Sequence, residues 1–177
     1  MDVISFARGN PSPDILPVEA LGECAQAVIA RDGRTILNYG PAGGYPPLRQ
    51  WIAAQHGVEQ SQVVISTGSL TGFNFLMRHL FADGGRAVIE APSYDRTIVV
   101  LRSVRAEISS VPLTDAGLDL DRLESVVSEG PTPKLVYTIP TFQNPSGRTL
   151  SAERRRAVAE IAATNGLHVL EDDPYGL

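Results

Sequence analysis

Cysteine is almost absent from the 177-residue sequence, in which Cys24 is the only one. A single cysteine excludes an internal disulfide framework and is typical of a protein from a reducing compartment. Long apolar runs are missing as well, because no stretch of the sequence is long enough to span a membrane. The first residues also lack the charged-then-apolar pattern of a signal peptide. We therefore expect a soluble, cytoplasmic protein.

Positive charge is outweighed by negative charge, and the formal net charge at pH 7 is −5. Such a balance offers no basic surface for nucleic acid or for an anionic membrane, so we expect neither as a partner. The glycine motif of dinucleotide-binding proteins, the Walker A motif and the G-x-S-x-G turn of serine hydrolases are also missing. These absences argue against a nicotinamide enzyme, a nucleoside triphosphatase and a serine hydrolase.

What the sequence does contain is a regular alternation of strand and helix patterns. Hydrophobic residues make up 43% of the chain and charged residues 20%, as in a globular protein. Short β-branched runs occupy residues 63–66, 87–90, 107–111, 135–139 and 167–170. Helical patterns occupy residues 17–30, 47–56, 70–81, 94–104, 120–128 and 151–164. Near-continuous apolar strands alternating with helices predict an α/β protein with a mainly parallel sheet and helices on both faces.

Polar side chains follow the ends of two predicted strands. Asp172 comes after the strand at residues 167–170, and Tyr175 follows three residues later. Asn144 comes after the strand at residues 135–139. Because the carboxyl ends of strands in such a sheet line one crevice, we expect Asn144, Asp172 and Tyr175 to converge there. An amide, an acid and a phenol suit a flat ring with one basic nitrogen and one phenolic oxygen, which describes pyridoxal phosphate.

Two other interpretations of these residues remain open. The segment Asn-Pro-Ser-Gly that begins at Asn144 is commonly used to build a turn. The acidic residues 171–173 are equally compatible with a solvated loop or with metal ligands. A metal site would call for histidine or further carboxylates nearby, so we predict no metal site.

A loop of small residues, Ser-Thr-Gly-Ser-Leu-Thr-Gly at residues 66–72, joins a predicted strand to a predicted helix. Backbone N–H groups at a helix N-terminus form a natural site for an anion such as phosphate. The alternative is an ordinary strand-to-helix turn. Tyr94 follows the strand at residues 87–90, where its ring either faces the crevice or packs at the start of the next helix.

Taken together, the motifs resemble those of the fold-type I, pyridoxal-phosphate-dependent aminotransferases of class I. The resemblance is greatest to the branch that contains 2-aminoadipate aminotransferases and the aminotransferase-like halves of MocR regulators. It covers nearly the whole chain. The segments that carry it are residues 5–9 (Ser-Phe-Ala-Arg-Gly), 37–49 (from Leu-Asn-Tyr-Gly-Pro to Gly-Tyr-Pro-Pro-Leu-Arg), 140–147 (Pro-Thr-Phe-Gln-Asn-Pro-Ser-Gly) and 172–175 (Asp-Asp-Pro-Tyr).

The resemblance implies a role for each residue that matches a family motif. For the cofactor it implies phosphate binding by Gly68, Ser69 and Leu70, stacking on the pyridine ring by Tyr94, hydrogen bonds to the ring's 3′ oxygen from Asn144 and Tyr175, and a carboxylate, Asp172, that holds the ring nitrogen in its protonated state. Tyr39 matches the tyrosine that reaches the phosphate of a neighbouring subunit, which implies a homodimer. Gly9 matches a main-chain contact to the substrate carboxylate.

The resemblance also implies a division of the chain and an incomplete catalytic site. Residues 1–45 are expected to form a lead-in, a helix and a dimer-contact loop, and residues 46–177 a cofactor-binding large domain that is incomplete at its C-terminus. The Schiff-base lysine of the family would lie beyond Leu177. The only lysine present, Lys134, stands at the start of a predicted strand, which is the wrong end for the crevice. We therefore expect no catalytic residue in this chain.

The activity that the resemblance implies is the transfer of an amino group between an amino acid and a 2-oxo acid. The chain would be the N-terminal part of such an enzyme and would be inactive alone. Two alternatives remain: a lyase or decarboxylase that uses the same cofactor, and a non-catalytic, ligand-sensing domain of a MocR-type regulator. The sequence does not distinguish transamination from these alternatives, because residues that bind the ring do not determine the reaction.

Overall fold

The computed structural model describes residues 11–176, which divide into two compact units after Ser66. The first unit contains the helices α1 (Val18–Ile36) and α2 (Pro46–His56) and two short 3₁₀ turns, Pro13–Ile15 and Gln60–Gln62. Helix α1 runs six residues beyond the predicted end at residue 30, so Gly33 lies inside the helix and accepts a hydrogen bond from the N–H of Leu37. The predicted division of the chain at residue 45 stays a prediction.

The predicted strand at residues 63–66 is wrong, because these residues pair with no strand in the part of the chain that the structure describes. The segment is held instead by the loop before α2 and by α2 itself. The N–H of Ile65 donates to the carbonyl of Gly43 at 2.9 Å, and the Arg49 guanidinium donates to the carbonyl of Val63 at 2.7 Å. Gly44 makes this approach possible: its φ is +100°, and a Cβ there would lie 2.6 Å from the Cβ of Ile65.

The second unit is built around a five-stranded sheet. Its elements, in chain order, are α3 (Ser69–Leu80), β1 (Arg86–Ala91), α4 (Asp95–Ser103), β2 (Glu107–Thr114), β3 (Gly117–Leu118), α5 (Leu120–Ser128), β4 (Leu135–Thr138), α6 (Ala152–Asn165) and β5 (His168–Glu171). The strand order is β3-β2-β1-β4-β5, and every pair is parallel except β2 with β3. The predicted α/β class with a mainly parallel sheet is therefore confirmed.

The two faces of the sheet bury different side chains, because successive residues of a strand point to opposite faces. On one face, Val88 and Val136 join a core formed with residues of α5 and α6. On the other face, Ile89 and Tyr137 join a core formed with residues of α3 and α4. This arrangement places helices on both faces, as the near-continuous apolar strands predicted.

Strand β3 was not predicted. It forms a two-residue hairpin partner of β2, with Leu113 opposite Leu118 and Thr114 opposite Gly117. A strand this short has no periodicity to detect, so sequence patterns could not reveal it. The remaining predicted strands and helices of this unit are confirmed to within three residues at each end.

Strand β5 lies at an edge of the sheet and pairs only with β4 within the described residues. Val169 is 36% exposed, and His168 is also exposed. The outer side of the last strand is therefore an unpaired edge within the described residues. Among residues 11–176, none of the helices combines the length and the apolar character needed to cross a membrane.

We expect Gly44→Ala to lower the free energy of unfolding by about 1–3 kcal/mol, because a side chain there is strained at positive φ and meets Ile65. The matched control is Gly22→Ala, inside α1, where a Cβ would meet no atom within 4 Å. That change should stabilise the protein by up to about 1 kcal/mol. Urea unfolding followed by circular dichroism measures both. Equal effects of the two substitutions would contradict the close approach at Gly44.

Candidate functional site

A cavity of about 250 Å³ opens beside the C-terminal end of β5. Its walls come from the first turns of α3, from the start of α4 and from the residues at the end of β5. The lining residues are Ser69, Leu70, Gly72, Phe73, Leu76, Tyr94, Thr97, Leu170, Glu171 and Asp172. Pockets for drug-sized ligands are typically ~300–1,000 Å³, so this volume suits one small ring.

The first turn of α3 forms one wall of the cavity. Gly68 is the N-cap residue, with φ +91° and ψ 149°, and its carbonyl accepts from the N–H groups of Thr71 and Gly72 at 3.2 and 3.3 Å. The N–H groups of Ser69 and Leu70 belong to the first turn, where an α-helix supplies no acceptor of its own. This wall therefore presents amide donors and the positive end of the helix dipole.

Tyr94 forms a second wall. It is the N-cap residue of α4, it is half-buried, and it packs against the core on the α3 and α4 face of the sheet. Tyr94 also lines the cavity. The residue therefore packs into the core at the start of α4 and borders the cavity, while the stacking of its ring on a cofactor stays a prediction.

Asp172 supplies the carboxylate of the cavity. Its N–H donates to the carbonyl of Thr138 at 2.9 Å, which continues the alignment of β5 with β4 by one residue. The hydroxyl of Tyr137 donates to Oδ2 of Asp172 at 2.7 Å. Burial, together with the nearby Asp172 carboxylate, raises the pKa of Tyr137 far above its ordinary value. Tyr137 therefore remains a hydrogen-bond donor at physiological pH.

Asn144 lies in a tight turn next to this edge of the sheet. The N–H of Gln143 donates to the carbonyl of Arg148 at 2.7 Å, and the N–H of Gly147 donates back to the carbonyl of Gln143. Asn144 itself is exposed and does not line the cavity. The turn expected from the Asn-Pro-Ser-Gly segment is thus present. It follows the C-terminal end of β4, which is also where Asn144 would have to lie to contact a ligand at the strand ends.

The side chain of Gln143 anchors this turn to the sheet. Its Nε2 donates to Oε2 of Glu90 at 3.1 Å and to the carbonyl of Pro92 at 2.9 Å, while its Oε1 accepts from the N–H of Ser146 at 2.9 Å. Gln143 is 2% exposed. A fully used and buried amide holds the turn in one position, because any movement would leave polar atoms unpaired.

Glu90 is the buried centre of these bonds. It is 1% exposed at the end of β1, and it also accepts from the hydroxyl of Thr138 and, at 3.2 Å, from the N–H of Ile139. Burial raises the pKa of Glu90 although these hydrogen bonds oppose the shift. Sequence reasoning missed both Glu90 and Gln143. The available signal was an acidic residue inside an otherwise apolar strand, which needs bonded partners.

Tyr175 lies next to the Asn144 turn. Its ring meets that of Phe142 edge-on, with the centroids 6.4 Å apart, and Thr141 donates to Oδ2 of Asp173 at 3.2 Å. Tyr175 is half exposed and does not line the cavity. Asn144, Asp172 and Tyr175 therefore share one edge of the sheet, although only Asp172 reaches the cavity.

Apart from Asn144 and Tyr175, the predicted residues fall into two groups. Ser69, Leu70, Tyr94 and Asp172 line one cavity, and Gly68 caps the helix that forms its wall. Tyr39 belongs to the other unit and is fully exposed, and Gly9 lies outside the described residues. The individual roles of these residues stay predictions.

Lys134 lies at the N-terminal ends of the parallel strands, whereas the cavity lies at their C-terminal ends. It immediately precedes β4, its Nζ donates to the carbonyl of Leu80 at 2.9 Å, and it forms an ion pair with Asp83. Since the cavity lies at the other ends of the parallel strands, Lys134 does not reach it. The expectation that Lys134 stands at the wrong end of its strand is confirmed.

The amino-acid sequence is similar to those of known aminotransferases. A family model described as aminotransferase class I and II matches residues 1–177. An aromatic-amino-acid aminotransferase of Thermococcus litoralis is 36% identical over 99% of this chain and 44% of its own length. A 2-aminoadipate transaminase of Thermus thermophilus is 35% identical over 98% of this chain and 43% of its own length.

A solved structure agrees with these matches. The crystal structure of LysN, an α-aminoadipate aminotransferase of Thermus thermophilus complexed with N-(5′-phosphopyridoxyl)-L-leucine, superposes with a TM-score of 0.88 and 35% identity. The match covers 96% of this chain and 43% of the LysN chain. The chain therefore spans less than half the length of the relatives it matches. The family resemblance drawn from the sequence motifs is confirmed.

Glu90→Gln should make the protein more stable than wild type, by an amount that grows with pH. The native pKa of Glu90 is raised, so the wild-type protein loses stability as pH rises from the unfolded-state value of about 4.3 through the native value. Glutamine keeps an oxygen that accepts from Ile139 and Gln143, and its amide donates to Thr138. Urea unfolding at several pH values between 4 and 9 provides the measurement.

The control for this prediction is Glu124→Gln on α5, where the side chain is exposed. Its unfolding free energy should follow that of the wild type at every pH. Parallel curves for Glu90→Gln and wild type would show that the native pKa of Glu90 is not raised.

Proposed function

Because the chain belongs to the family of class I and II aminotransferases, we propose that it forms the cofactor-binding part of a pyridoxal-phosphate-dependent transaminase. The enzyme would transfer an amino group between an amino acid and a 2-oxo acid. The observation that carries the proposal is the single cavity that combines the first turn of α3, the Tyr94 ring and the Asp172 carboxylate.

The donor set of the cavity fits this cofactor. A phosphate needs N–H donors and positive charge, and the first turn of α3 offers both. A protonated ring nitrogen needs an acceptor. One oxygen of Asp172 already accepts from Tyr137, and the carboxylate has a second oxygen for such a bond. The cavity is of the size of a single small ring, and an aromatic residue forms part of its wall.

Each of the predicted site residues would then have one role in binding the cofactor. When bound, pyridoxal phosphate supplies a ring that accepts the electron pair released at the Cα of the amino acid. Asp172 would hold the proton on the ring nitrogen, and Ser69 and Leu70 would bind the phosphate through the first turn of α3. Tyr94 would cover one face of the ring. Asn144 and Tyr175, at the same edge of the sheet, would donate to the ring's 3′ oxygen.

The covalent anchor of the cofactor is proposed to come from outside these 177 residues. Lys134 is the only lysine of the sequence, and its ion pair with Asp83 lies at the N-terminal ends of the strands, away from the cavity at their C-terminal ends. Proton transfer at the substrate Cα therefore has no lysine in this chain to perform it. The same proposal assigns the chain no activity on its own.

The proposal also includes a homodimer, a substrate contact and a cellular location. The full exposure of Tyr39 supports a homodimer in which this side chain reaches the phosphate of the neighbouring subunit. Gly9 would contact the substrate carboxylate. The single cysteine supports a cytoplasmic location.

The purified protein should bind pyridoxal phosphate reversibly and form no covalent adduct with it. Equilibrium dialysis detects the binding, and borohydride reduction followed by intact mass measurement detects an adduct. We expect an unchanged mass after reduction, because Lys134 is held at the N-terminal ends of the strands. One reduced cofactor adduct mapped to Lys134 would contradict this account, and an absence of binding would contradict the proposed function.

Asp172→Asn should weaken the binding of pyridoxal phosphate by about tenfold or more, because a hydrogen bond to a charged group contributes about 1.5–3 kcal/mol. The matched control is Asp121→Asn, an exposed aspartate in the first turn of α5. Its dissociation constant should equal that of the wild type. Similar affinities for the two variants would show that Asp172 does not bind the ring nitrogen.

A further inference from the structure

Tyr137 is a buried polar side chain that no part of the sequence analysis assigned to the site. It lies in β4, is 1% exposed, and its ring packs against Phe73 of α3 with the centroids 5.7 Å apart. The hydroxyl is therefore held by a rigid side chain inside the sheet. Its position is set by the core of the second unit rather than by solvent.

The register of the strands explains why Tyr137 meets Asp172. Tyr137 is paired with Leu170 in the parallel ladder of β4 and β5. Because side chains alternate between the two faces, Asp172, two residues beyond Leu170, lies on the same face as Tyr137. Glu171 and Asp173 alternate with it, and Asp173 accepts from Thr141 instead. Of the three consecutive acids, Asp172 is the one that Tyr137 contacts.

The acceptor determines the direction of the hydrogen bond between Tyr137 and Asp172. A carboxylate only accepts, so the hydroxyl of Tyr137 donates to Oδ2 of Asp172 at 2.7 Å. The buried side chain of Thr97, on α4, lies close to the Tyr137 hydroxyl and is 1% exposed. Thr97 and Asp172 both line the cavity.

We propose that Tyr137 is a positioning residue: its hydroxyl holds the Asp172 carboxylate so that the second oxygen is presented to the ring nitrogen of the cofactor. This inference rests on the proposed function. One carboxylate oxygen is fixed from inside the protein, so the other has a single orientation toward the cavity. Without the hydroxyl, Asp172 would be free to rotate about its χ angles, and binding the ring would have to order it.

The test compares two ligands that differ only at the ring nitrogen. They are pyridoxal phosphate and its carbocyclic analogue, in which a C–H group replaces that nitrogen. Tyr137→Phe should weaken the binding of pyridoxal phosphate by about tenfold, equivalent to about 1.4 kcal/mol, and leave the binding of the analogue unchanged. In an Asp172→Asn background, Tyr137→Phe should have no further effect on either ligand.

The chain offers a matched control in the other unit. The hydroxyl of Tyr45 donates to Oδ2 of Asp32, so Tyr45→Phe removes the same kind of hydrogen bond in the first unit. Its affinities for both ligands should equal those of the wild type. Thr97→Val is the second variant for the case that Tyr137→Phe does not fold. It removes the hydroxyl that lies close to that of Tyr137 and should produce a smaller loss, again confined to pyridoxal phosphate.

Two results would overturn the inference, and they are distinguishable from each other. Equal losses for pyridoxal phosphate and its analogue would show that Tyr137 only supports the fold, while the proposed function would stand. A wild-type protein that binds neither ligand would overturn the proposed function and, with it, the role of Tyr137 toward the ring.

Discussion

The buried carboxyl of Glu90 is the constraint on which the rest of the site depends. A carboxyl group that is removed from water is costly unless its oxygens are bonded. Glu90 meets this requirement with Thr138 at the end of β4, with Ile139 directly after it, and with the side chain of Gln143. These bonds tie the ends of two central strands to the turn that carries Asn144. The edge of the sheet next to the cavity is thereby held in one arrangement.

The two-sided packing of the sheet then selects which residues reach the cavity. Tyr137 points toward the face covered by α3 and α4, and those helices also supply the walls formed by Ser69 and Tyr94. The same alternation brings Asp172 to that face at the end of β5. Core packing therefore also determines the geometry of the site, because the Tyr137 ring packs in the core and its hydroxyl binds the Asp172 carboxylate.

Sequence reasoning was most successful where a local pattern carries the information. The strand-end pattern indicated Asp172, as well as Asn144 and Tyr175, and the family motifs indicated Ser69, Leu70 and Tyr94. Of these six residues, Asp172, Ser69, Leu70 and Tyr94 are the ones that reach the cavity. Sequence reasoning failed at residues 63–66, where a strand-like pattern has no strand beside it, and at Glu90, whose partners come from distant parts of the chain. A ladder requires a partner, and a local pattern does not report whether one is present.

The sequence by itself determined the type and order of most elements, the family, and the position of its single lysine at the start of a strand, since periodicity and motifs are properties of neighbouring residues. Only the tertiary structure decided that Tyr137 bonds to Asp172, although 35 residues separate them. That pairing follows from the strand order β3-β2-β1-β4-β5 and from the register of β4 with β5. Both arise from burying two faces of one sheet, a property of the whole unit that no short stretch of sequence contains.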